Sequence, residues 1–145
     1  MKKLLLIVVI TIAACVGYDL HHSWLSEARA AETAQNDSVL AGAFKNHVSN
    51  IQVQGRGLVT MVLPDDNDGS RHQRFIIRLG SGQTILIAHN IDLAPRISSL
   101  SAGDAVEFNG EYEWNPKGGV LHWTHRDPAG RHPAGWLKHN GKTFQ

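Results

Sequence analysis

The segment His122-Trp123-Thr124-His125-Arg126-Asp127, followed by His132 and Trp136, gathers side chains able to do chemistry. Neutral imidazole and carboxylate are the ordinary ligands of zinc and related divalent ions. Spacings of three, two and five residues let a strand end and the following loop curl round one ion held by His122, His125, Asp127 and His132. Strict alternation would set His122 and His125 on opposite faces, so the set requires a bulge or a strand end at Thr124. No standard zinc motif is matched. The competing reading is a solvated, His-rich tail whose tryptophans cover one end of the domain.

Register brings in a second group. If the turn Asn115 to Gly119 pairs Trp114 with Val120, Glu111 faces Trp123 and Asn109 faces His125. Glu107, Asn109, Glu111, Trp123 and His125 then share a polar face suited to binding or acid–base work. A slip of one residue disperses the grouping. Asp65, Asp66 and Asp68 precede Arg71, His72 and Arg74 in a loop. Their spacing misses the calcium-loop pattern, while Arg71 and Arg74 suit a phosphate or carboxylate; the alternative is a turn with local ion pairs. His89-Asn90-Ile91-Asp92 directly follows an apolar strand, so His89 either enters a cleft or is a satisfied core imidazole. From Asn115 onward five basic residues face Asp127 alone, with Trp123 and Trp136 as stacking surfaces.

Two functions follow as expectations. In the first, the chain binds an anionic polymer, a nucleic acid strand or a glycan, through Asn109, Trp123, His89, Asp65 and Asp66. In the second it is a metal-dependent hydrolase. One divalent ion, zinc or similar, sits on the His/Asp set, Glu111 is the base, and Arg71 with Arg74 steadies developing charge. A structural envelope protein is the third reading. No nucleophile elbow, phosphate-binding glycine loop or HExxH is present.

The 145 residues that must position these groups suffice for one compact domain. There are 14 Lys plus Arg against 13 Asp plus Glu, and without Lys2 and Lys3 the balance is 12 to 13. That excludes a strongly polycationic surface for clamping duplex nucleic acid. A single Cys excludes a disulfide framework.

Met1-Lys2-Lys3 followed by an apolar run from Leu4 to Ala14 has the pattern of an export signal. Ile12-Ala13-Ala14-Cys15 resembles the bacterial lipoprotein box. An uncleaved anchor, or cleavage after Ala28-Arg29-Ala30, is the alternative. All three place the body outside the cytoplasm, periplasmic and, in the first two, attached to the membrane by its N-terminal segment. Residues 1–18 therefore read as signal or anchor, 19–38 as a polar linker and 39–145 as the domain.

Val39, Leu40, Ala43, Phe44, His47 and Val48 recur at helical spacing. The period then becomes two. Strands are expected at Leu58 to Leu63, Gln73 to Leu79, Gln83 to Ala88, about Ala105 to Trp114, and Val120 to His125, with a short helix between Asp92 and Leu100. Three strands, a short helix and two strands is the order of an all-β, five-stranded OB-fold-like barrel. Such barrels bind polymers on one face, between the loop joining strands 1 and 2 and the loop joining strands 4 and 5.

Asp65-Asp66 with Gly69-Ser70-Arg71-His72-Gln73-Arg74-Phe75, then His89-Asn90-Ile91-Asp92-Leu93-Ala94-Pro95, and Gly118-Gly119-Val120-Leu121-His122-Trp123-Thr124-His125 together resemble one bacterial family, domain of unknown function 3465. The resemblance covers about Val53 to Gln145 and implies a small exported or membrane-anchored protein. It carries no activity and no catalytic residue. A weaker likeness, to OB-fold nucleases of the thermonuclease type, rests on the residue types Asp65, Asp66, Arg71, Arg74 and Glu111 without that family's spacing.

Overall fold

The computed structural model describes the backbone of residues 2–145 and the side chains of residues 24–145. One helix, α1 (Lys2–Lys45), precedes seven strands: β1 (Ile51–Val62), β2 (His72–Leu79), β3 (Thr84–Asn90), β4 (Ala105–Glu113), β5 (Val120–His122), β6 (Trp136–His139) and β7 (Lys142–Phe144). The chain divides into two compact units, residues 1–32 and residues 33–145. The first is helical, and residues 19–38, expected as a tether, lie within α1. Among the described residues no helix is long and apolar enough to cross a membrane. The lipoprotein reading of Cys15 falls outside the described side chains.

The second unit is the expected barrel. β1 pairs antiparallel with β2, β2 with β3, and β3 runs parallel to β5. β5 pairs antiparallel with β4, and β4 returns to β1 along eight residues, closing the five-stranded circuit. Closure removes the edges that an open sheet would leave exposed. Alternation in the strands turns Val53, Val59, Phe75, Ile77, Ile85, Ile87, Val106, Phe108, Tyr112 and Leu121 inward, all buried. Leu40 and Ala43, from the helical spacing seen in the sequence, join this core from the end of α1.

Two expectations are corrected. No helix forms between β3 and β4; residues 91–104 are turns and coil. Side chains take the hydrogen bonds a helix would have made. The Asn90 side chain accepts from Asp92 N, and the Asp92 carboxylate accepts from Arg71 rather than capping a helix. Buried Gln73 grips Ile97 twice, its Nε2 donating to the carbonyl and its Oε1 accepting from the amide.

The fifth strand is also shorter than expected, ending at His122. The chain leaves β4 at Trp123, in the left-handed region at φ 52°, and returns at Trp136 to pair with β4 as β6. β5 and β6 thus occupy successive stretches of one β4 edge, with residues 123–135 an excursion between them. Return is possible because position 135 is glycine: a Cβ there would meet the carbonyl oxygens of Trp123 and Asn109. β6 and β7 form a hairpin whose Leu137 and Phe144 seal the core.

Candidate functional site

Two regions of the barrel's outer surface carry the candidate chemistry. The first lies on β2, β3 and β5. Outward positions place Ile76 opposite Leu86, and Leu86 beside Val120. These residues floor a groove of about 270 Å³ lined by Leu63, Ile76, Thr84, Leu86, Asn115, Lys117 and Gly119. It sits between the β1–β2 connection, represented by Leu63, and the β4–β5 turn, represented by Asn115, Lys117 and Gly119. A second cleft of about 470 Å³ adjoins it through Thr84 and Lys117, with Phe44, Gln83 and Pro116 among its walls. Gly119 makes the turn possible: its φ is 99°, and a Cβ would run into the Tyr112 ring. Arg78, exposed, stands across the β2–β3 ladder from Thr84.

The second region lies two residues further along β5. Glu111 is opposite His122, not Trp123: the true register differs by one residue from that expected, and Glu113, not Trp114, faces Val120. Asn109 accordingly faces Trp136 rather than His125. The Glu111 carboxylate lies between two imidazoles. His132 Nε2 donates to its Oε2 at 2.9 Å, and His122 Nε2 stands 3.5 Å from its Oε1 and 3.6 Å from Glu113.

The protonation of His132 follows from its partners. Its Nδ1 faces the Pro133 carbonyl at 2.9 Å and its Nε2 faces Glu111, both acceptors only. Both contacts are satisfied together only when each ring nitrogen carries a proton, which favours the imidazolium. Burial opposes that charge, but the hydrogen bonds to Glu111 and Pro133 and the field of Glu111 and Asp127 outweigh it and raise the pKa. The ring stacks on Trp123 at 4.1 Å with 8° between planes. His122 goes the other way: burial lowers its pKa despite Glu111 and Glu113, and its buried Nε2 has no hydrogen-bond partner.

The remaining candidates are engaged elsewhere. His125 Nδ1 donates to the Arg126 carbonyl. Asp127 accepts from the amides of Ala129, Arg131 and His132, which hold its pKa below the usual carboxylate value. The four proposed metal ligands thus do not converge, and among the described residues no three His, Cys, Asp or Glu are arranged to hold a metal ion. Arg71 is bound by Asp92, and Arg74 by the Pro64 carbonyl with Asp66 at 3.8 Å. Asp65 pairs with Arg96, and Asp66 pairs its backbone with His72 while accepting from Asp68 N.

His89 is a core imidazole. It is fully buried, its Nε2 donates to the Pro95 carbonyl, and its Nδ1 accepts from the Thr124 hydroxyl. Burial, reinforced by the fields of His125 and His72, lowers its pKa to about 4. Trp123 already carries His132 on one face and has His125 at 5.4 Å, so it is not an open platform. The sequence reading missed the groove residues Leu63, Ile76 and Leu86, and counted Lys117 only among the five basic residues of the C-terminal stretch. Apolar Ile76 and Leu86 at outward strand positions were the available signal.

The architecture defines the chain as an OB-fold-like β-barrel. It belongs to the DUF3465 family, described as proteins of unknown function, whose family model matches residues 22–145. No curated protein matches the chain.

Proposed function

We propose that this protein is an exported, envelope-associated OB-fold module that binds an anionic polymer, a nucleic acid strand or a glycan, along the outer face of β2, β3 and β5. The observation that carries this reading is the groove floored by Ile76 and Leu86, with Lys117 on its wall. Its place between the β1–β2 and β4–β5 connections is where such barrels take polymers. The apolar floor suits a base or sugar ring, Lys117 supplies positive charge at the wall, and Arg78 stands across the ladder from Thr84. Export is supported by the basic start and apolar run at the N-terminus, which would also hold the body at the membrane.

Fluorescence anisotropy with the full chain tests this, using a labelled single-stranded 20-mer and a labelled polyuronate oligosaccharide. One of them should bind with an affinity that falls as salt rises. Lys117→Ala combined with Arg78→Ala should weaken it about tenfold, as expected for the loss of two charge contacts. Undiminished binding in the double variant, or no binding of either probe, removes the proposal. Metal-dependent hydrolysis is the weaker reading, since His125 and Asp127 would have to leave the backbone bonds they make.

A further inference from the structure

A different face of the barrel, on β1, β4 and β6, is built for another ligand. Register places outward Gln52 opposite Glu111, Gln54 opposite Asn109, and Arg56 opposite Glu107. On the other side of β4, Asn109 faces Trp136 and Glu107 faces Lys138. Gln52, Gln54 and Arg56 are exposed, and the residues of β4 and β6 in these rows are half-buried. The result is a polar ladder with one indole beside its centre. Gln52 Nε2 already donates to Asn109 Oδ1 at 2.7 Å, which fixes the two amides side by side.

Trp136 differs from its counterparts. Trp123 is stacked by His132, and Trp114 packs on His47 while donating to the Phe44 carbonyl. Among the described residues no ring stacks on Trp136 and no side-chain hydrogen bond occupies it. It is an interfacial aromatic without a partner in a field of amides and carboxylates. Charge on this face is nearly offset: Arg56, Lys138 and the His132 ring bound to Glu111 stand against Glu107 and Glu111, with Lys138 Nζ 3.9 Å from Glu107. Carboxylates set among these cations leave a phosphodiester chain little net attraction. Planar amides and carboxylates instead match vicinal hydroxyls, and an indole matches the apolar face of a sugar ring.

We infer that the β1–β4–β6 face is a binding site for a neutral oligosaccharide, centred on Trp136 and oriented by Gln52, Asn109 and Glu107. It is separate from the groove beside Lys117 and does not depend on what the groove binds.

The test is isothermal titration of the full chain with two neutral probes, cellohexaose and the N-acetylglucosamine hexamer, alongside tryptophan emission. At least one probe should bind, perturb emission and be insensitive to salt. Trp136→Ala should weaken it about tenfold or more, as for an aromatic hot spot, while Trp136→Phe retains most of the affinity. Gln52→Ala, at an exposed position, should weaken binding without affecting the fold and so covers the case of a misfolded Trp136→Ala. Lys117→Ala should leave it unchanged. Failure of both hexamers to bind overturns the inference, as does binding indifferent to Trp136 and Gln52. Loss through Lys117→Ala would transfer the sugar to the groove, overturning this site while sparing the groove proposal.

Discussion

His132 donates to Glu111 at 2.9 Å across 21 residues of chain and thereby fastens the excursion 123–135 to β4. The same ring covers Trp123, so one imidazolium ties together the residues at both ends of the excursion.

The fastening has a pH dependence of definite sign. The folded-state pKa of His132 is raised, so its contribution is complete below the ordinary histidine pKa and fades as pH climbs through the raised value. Hydrogen exchange across residues 123–135, corrected for intrinsic rates, should show protection falling with rising pH. Glu111→Gln should abolish that trend and cost roughly 2 kcal/mol at acid pH, as for a hydrogen bond to a charged group. A pH-independent profile in the unaltered chain would contradict the assignment of His132 as an imidazolium.

His89 acts in the opposite direction. Its folded-state pKa of about 4 lies below the usual 6.5, so its stabilising effect is complete above 6.5 and lost as pH falls toward 4. The difference corresponds to about 3 kcal/mol. Urea unfolding at pH 7 and pH 4 should reveal this loss, and His89→Gln should be less stable at neutral pH yet flatter with acid. An equal acid slope in both proteins would show that other groups govern acid unfolding.

Gln73 substitutes for the missing helix between β3 and β4. Gln73→Leu keeps the volume but strands both the amide and the carbonyl of Ile97 in a buried setting, at a cost of about 2–4 kcal/mol. Equilibrium denaturation measures it; a change under about 0.5 kcal/mol would mean that the segment re-forms other bonds.

The end of α1 is part of the barrel's core. Leu40 is fully buried within the core cluster, and Leu40→Ala should cost about 2–5 kcal/mol. Thermal unfolding of the variant should show a single lowered transition. An unchanged midpoint would mean that residues 33–45 contribute nothing to the barrel.

Much of this was legible from local pattern. The inward residues of β2, Phe75, Ile77 and Leu79, and of β4, Val106, Phe108 and Tyr112, follow directly from alternation. The glycine pair at 118–119 marks the turn before β5. The helical spacing of Leu40 and Ala43 marks the segment that caps the core. Register was not legible. A single residue in the β4–β5 turn decided that Glu111 meets His122, and the excursion of residues 123–135 decided that Asn109 meets Trp136.

Sequence by itself determined the inward and outward sides of β2 and β4, the turn before β5 and the class of barrel, because these depend on neighbours a few residues away; it did not show β6, β7 or the start of β1 at Ile51. Tertiary structure alone decided which chemistry survives. Asp127 is taken by its own loop's amides, Arg71 by Asp92 and His89 by Thr124 and Pro95, while His132 is brought back to Glu111. Asp127 apart, whose partners lie within its own loop, these groups are won by partners distant in the chain, and the winner is set by closure of the barrel, which no spacing along the sequence records.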